Sequence, residues 1–183
     1  MSPANSPAPD DAAALRELLD KEAIREVIGI RYARGLDWYD LDMLKSCFHE
    51  DATLDYGYFK GNAHEWATMR VVKGNPDELH RFHYCFPPLI EIKGDRAQCE
   101  SNSYAGYRKK DGDGQVCKMF GARYIDTVER RNGLWKISFR AVLVDFLQDI
   151  PSPAGFGGLQ KGMGMLEHLR PDHPLYHRLR TPD

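Results

Sequence analysis

Apolar residues near the start of the chain recur with a helical period. Ile24, Val27 and Ile28 are spaced by three and four, and a further step of four reaches Tyr32, so the pattern turns that ring inward. It predicts a helix over 12–36, open to a break near Asp20. Gly35 fits a left-handed turn at the helix end, which would set Asp37 just beyond the last turn on the same buried side. A second, shorter helix over 40–47 follows from Leu41, Leu44 and Phe48. From Ala52 the period falls to two: Thr53, Asp55, Gly57 and Phe59 alternate with Leu54, Tyr56 and Tyr58, as in an aromatic-rich strand closing at Lys60-Gly61. Asn62 and Asn75-Pro76 have the form of helix starts, and a third helix is expected around 66–72.

The second half carries three turn signals, Gly94-Asp95, Asp111-Gly-Asp-Gly114 and Asn132-Gly133. They separate four runs over 82–93, 96–110, 115–130 and 134–148. Such runs make an antiparallel meander, and strands this long must twist and curl into a hollow that helices can fill. Pro87-Pro88 cannot donate ladder bonds, which places the first run at an edge or a bulge.

Length and composition narrow the classes. A chain of 183 residues suits one domain with a substantial core, flanked here by a disordered arm over 1–11 and an extension over 148–183. The extension holds Phe156, Leu159, Met163, Met165, Leu166, Leu169 and Leu175, too apolar for a free tail, and is expected to lie on the body or on a neighbouring subunit. A net charge of −2 and a pI near 6.4 give no footprint for nucleic acid or an anionic membrane. Cys47, Cys85, Cys99 and Cys117 include no close pair, so they fit small buried hydrophobes in a reducing compartment. With no secretion signal and no apolar run of spanning length, a cytoplasmic location is expected.

His83 and Arg140 could carry chemistry together with Tyr32 and Asp37. His83 opens the long sheet in His80-Arg-Phe-His83-Tyr84. His80 and His83 could share a metal only in a helical segment, because residues three apart on a strand face opposite sides. A histidine beside a carboxylate makes a proton acceptor, and the same histidine bonded to a backbone carbonyl is merely structural. Arg140 shares a strand face with Val142 and Val144, where it needs an anion: an internal carboxylate or a substrate oxygen. On the preceding strand Phe120, Ala122 and Tyr124 share a face and would make an apolar wall.

The helical layer followed by a meander ending Val128-Glu-Arg-Arg-Asn-Gly-Leu-Trp-Lys-Ile-Ser-Phe-Arg140 resembles the SnoaL-like branch of the nuclear transport factor 2-like superfamily. Within it the group holding scytalone dehydratase, hexachlorocyclohexane dehydrochlorinase and bile acid 7α-dehydratase is the nearest. The resemblance covers 12–147. It implies an α+β fold, a cone-shaped curved antiparallel or mixed sheet with N-terminal helices in its hollow, of the cystatin-like type. It also implies an Asp37–His83 dyad assisted by Tyr32 and Arg140, no metal and no cofactor. The reaction implied is a dehydratase-type elimination from a small hydrophobic cyclic or aromatic substrate, and relatives suggest a homo-oligomer, trimer or dimer. Asn102, Ser103 and Tyr104 stand where the bile acid enzyme has a further acid, which argues against a steroid. The expected pocket residues are Leu54, Tyr56, Trp66, Phe120, Tyr124, Val142 and Val144, suited to a neutral molecule. Carbon–carbon cleavage such as formaldehyde loss from an aryl-propanoid, isomerisation, and non-catalytic ligand or partner binding are the competing readings.

Overall fold

The computed structural model describes residues 11–152, 169–174 and 176. Of the expected arm, residues 1–10 lie outside the described residues. So do 153–168, 175 and 177–183, with the apolar positions Phe156, Leu159, Met163, Met165, Leu166 and Leu175. The fold is mixed α+β, with N-terminal helices laid against a seven-stranded, open, curled sheet.

The first helical rod is α1 (Asp11–Arg25), a wide π-helical turn (Glu26–Arg31), and α2 (Tyr32–Asp37). No break occurs at Asp20. The wide turn frees the Ile28 carbonyl to accept from Arg140 Nη2 at 2.8 Å, so a sheet cation takes up a backbone acceptor of the helix. Gly35 does not form the left-handed turn expected of it; it is helical, and the positive φ falls on Tyr39 at 54°. Glycine is required by close approach, since a Cβ on Gly35 would lie 2.8 Å from the Leu44 backbone nitrogen on α3 (Leu41–Ser46). Gly35→Ala should therefore cost about 1–3 kcal/mol by overpacking, reduced by alanine's better helix propensity of about 1 kcal/mol. Urea denaturation reads this directly, and unchanged stability would mean that the two helices separate easily.

Asp40, expected as a solvated acid, is buried: it caps α3 by accepting from Met43 N–H at 2.9 Å and receives the Tyr176 hydroxyl. Tyr176 is itself buried beside the α2–α3 corner, where its carbonyl accepts from Arg34 Nη2 at 2.9 Å.

The strands are β1 (Phe48–Asp55), β2 (Lys60–Asn62), β3 (Glu78–Cys85), β4 (Leu89–Lys93), β5 (Arg96–Asp111), β6 (Gly114–Arg131) and β7 (Leu134–Ser152). Asn62 accepts from His64 and Glu65 N–H and starts α4 (Ala63–Thr68), which runs into a second π-helical turn, Met69–Lys73. Asn75-Pro76 opens only a turn, because β3 begins two residues later. The single strand expected up to Gly61 is interrupted at 56–59, and β2 folds back on β1.

The sheet order is β2-β1-β7-β6-β5-β3, with β4 also on β5; β1 and β7 are parallel and the other pairs antiparallel. Pro87-Pro88 splits the first expected run into β3 and β4, which pair with different halves of β5. Asn132 and Gly133, both at positive φ, make the tight β6–β7 turn. Two bulges then bend that hairpin, between Gly121 and Ala122 and between Thr127 and Val128. The core lies between sheet and helices, where Ile24, Ile28, Leu36, Leu44, Phe48 and Ile137 are buried together. Each such side chain contributes roughly 1.5–3 kcal/mol.

Candidate active site

The site forms where α2 meets the inner face of β3. Asp37 stands on the flank of α2 and both of its oxygens are engaged by one residue: Oδ2 accepts the His83 backbone N–H at 2.9 Å, and Oδ1 lies 2.6 Å from His83 Nδ1. The two-point contact fixes the position and tilt of the imidazole. With Nδ1–H donated to the carboxylate, Nε2 becomes the basic nitrogen, and it has no hydrogen-bond partner among the described residues. His80 stands on the opposite face of β3, as the strand period requires.

His83 lines a cavity of about 500 Å³ that opens between the helices and the curled sheet. Of the expected pocket residues, Tyr56, Trp66, Phe120, Tyr124, Val142 and Val144 line it together with Tyr32. Tyr32 and Tyr56 join hydroxyls at 3.0 Å, and the Tyr32 ring meets Tyr124 edge-on at 5.7 Å between centroids. Burial pushes the phenols of Tyr32, Tyr56 and Tyr124 above their ordinary range, so all three stand as neutral O–H groups.

Three expected site residues are not in the wall. Asp37 lies behind the imidazole it holds. Leu54 is 2% exposed and packed in the core on β1, beside Arg140 in the register. Arg140 is fully buried and holds an internal carboxylate, the first of its two expected partners: its Nε and Nη2 bond Asp126 Oδ1 and Oδ2 at 2.6 and 2.8 Å. Burial opposes the charge on Arg140, and Asp126 outweighs that effect, keeping its pKa above the ordinary value. Its guanidinium lies 4.2 Å from the Tyr32 ring and 4.3 Å from the Tyr124 ring, beneath the two aromatics that face the cavity.

Several wall residues escaped the sequence reading: Tyr58, Arg70, Tyr107, Lys118, Leu147 and Asp149. Lys118 was legible, because it shares strand parity with Phe120 and Tyr124. Its partner Asp149, at 2.5 Å, was not, since the Gly121–Ala122 bulge reverses the parity of β7 beyond Val144. Among the described residues no group of three or more His, Cys, Asp or Glu could hold a metal ion.

The SnoaL-like domain model matches residues 16–141. Among solved structures, the chain is similar to a putative scytalone dehydratase from Novosphingobium aromaticivorans, at 19% identity over 79% of this chain and 99% of that one, TM-score 0.65. It is also similar to a type 2 hexachlorocyclohexane dehydrochlorinase, LinA, at 19% identity over 78% and 99%, TM-score 0.68. A third is LinA-type3 from Novosphingobium barchaimii, at 21% identity over 80% and 98%, TM-score 0.66. At these identities the likeness is one of fold. No curated protein matches the chain.

Proposed function

Because the chain belongs to the SnoaL-like domain family, we propose that it is a cofactor-independent lyase, eliminating water or a similar group from a small aromatic or cyclic substrate. The observation that carries this reading is the Asp37–His83 pair, with the imidazole in the wall of an aromatic cavity. His83 Nε2 takes a proton from carbon, the C–H electron pair becomes the new π bond, and the leaving group departs with its own pair. Asp37 stabilises the imidazolium that forms. Tyr32 and Tyr56, as neutral donors, supply O–H groups to the departing oxygen or to a developing oxyanion. Arg140 acts as a positioning residue, stacked beneath Tyr32 and Tyr124. The similar structures named as a dehydratase and as dehydrochlorinases lend the reading support.

The proposal includes a homo-oligomer, dimer or trimer, in which Tyr84, Leu143 and Phe146 on the outer sheet face are covered. It also includes a cytoplasmic location, consistent with four free cysteines; no helix among the described residues is long and apolar enough to cross a membrane. The test is incubation of hydroxylated aryl-propanoids with the protein in deuterium oxide, followed by mass spectrometry. Loss of water with solvent deuterium entering recovered substrate is the expected result. Loss of formaldehyde, or deuterium uptake with no fragment lost, would move the chemistry to carbon–carbon cleavage or isomerisation. Neither turnover nor exchange would leave a binding protein.

A further inference from the structure

Beyond His83 the cavity continues into a recess of about 200 Å³ lined by Tyr58, Arg70, Arg81, Tyr107 and His83 itself. Arg81 and His83 are two residues apart on the inner face of β3, so their backbones are separated by about 7 Å along the strand. Arg81 is 1% exposed, its guanidinium lies 4.0 Å from the Tyr39 ring, and its hydrogen bonds are incomplete. Its Nε bonds Glu78, its Nη1 reaches the Arg70 carbonyl at 3.3 Å, and its Nη2 has no hydrogen-bond partner among the described residues.

Glu78 is shared between two cations. Its side chain is 2% exposed and already accepts from Arg81 and from the Tyr39 hydroxyl at 2.8 Å, while the Arg70 guanidinium stands 3.9 Å away. One carboxylate thus faces two guanidiniums beside a recess that joins the aromatic cavity. A buried cation with an unused donor is costly unless an anion reaches it, and the planar guanidinium fork matches the two oxygens of a carboxylate.

We infer that the recess is an anion subsite, in which Arg81 and Arg70 take the carboxylate of an aromatic acid whose ring occupies the main cavity. The substrate class shifts accordingly from the neutral molecule suggested by the apolar wall to an aryl-substituted carboxylic acid. The inference rests on the lyase reading only in calling the ligand a substrate, because binding of the acid does not require turnover.

The probes are 3-phenylpropanoate and its neutral counterpart 3-phenylpropanamide, titrated by isothermal calorimetry. The native protein should bind the acid at least about tenfold more tightly than the amide, the size of one charge-assisted hydrogen bond. Arg81→Gln and Arg70→Gln should each bring the ratio toward one, and Arg70→Gln decides alone if the buried Arg81 variant does not fold. Equilibrium binding needs no turnover, which separates this subsite from the proton-transfer chemistry. No binding of the acid, equal binding of the two probes, or a ratio untouched by the arginine variants overturns the assignment.

Discussion

His83→Ala should lower kcat/KM for elimination by about a hundred- to ten-thousandfold, the usual contribution of a positioned general base. The fold should survive, because the imidazole bonds only Asp37 and the replacement leaves the backbone N–H to Oδ2 in place. Asp37→Asn is the informative companion. If its remaining oxygen keeps the backbone contact, its NH₂ faces Nδ1 and drives the ring proton to Nε2, where a base is needed. A loss of comparable size is therefore expected from a change that barely alters shape. Steady-state kinetics with circular dichroism on both variants checks this. Full turnover by His83→Ala would remove the imidazole from the reaction.

Asp126→Ala should cost about 3–5 kcal/mol of stability, since it strands the fully buried Arg140 without its carboxylate. Replacing both, as in Asp126→Leu with Arg140→Met, should recover most of that loss, because burying two apolar groups requires no desolvation of charge. Recovery of stability need not restore activity: the double variant also removes the cation that lies under Tyr32 and Tyr124. Urea denaturation curves give the first quantity and turnover the second. A loss below about 1 kcal/mol for Asp126→Ala would mean that water reaches the pair and screens it.

The Arg140 anchor shows where sequence reasoning ended. Strand parity correctly set Arg140, Val142 and Val144 on one face, and Asn132-Gly133 correctly located the hairpin. Extending a regular two-residue hairpin from that turn, however, pairs Phe139 with Asp126. Only the bulge between Thr127 and Val128 shifts the register so that Arg140 stands opposite. No side-chain pattern announces such a bulge, so Asp126 could not be found by counting. The pairing of Asp37 with His83 came from the family resemblance, because the helical stripe led only to Tyr32 and the strand pattern left a backbone carbonyl open as the partner of His83. Gly35 failed for another reason: a glycine needed for left-handed backbone and one needed for close packing look the same in a sequence. The recess behind His83 was invisible, since it depends on three segments meeting at Arg70, Arg81 and Tyr107.

The π-helical turn at Glu26–Arg31 has a consequence for how the dyad is encoded. Each residue of an α-helix advances the chain by about 100° of rotation, so one residue more or fewer before Tyr32 would swing everything after it through that angle. Asp37 would leave the flank that faces β3, and its carboxylate would point away from the imidazole although neither residue had changed. The spacing from Ile24 to Asp37 is thus part of what brings the carboxylate to the imidazole, and an insertion or deletion there would part the two as surely as losing the acid itself.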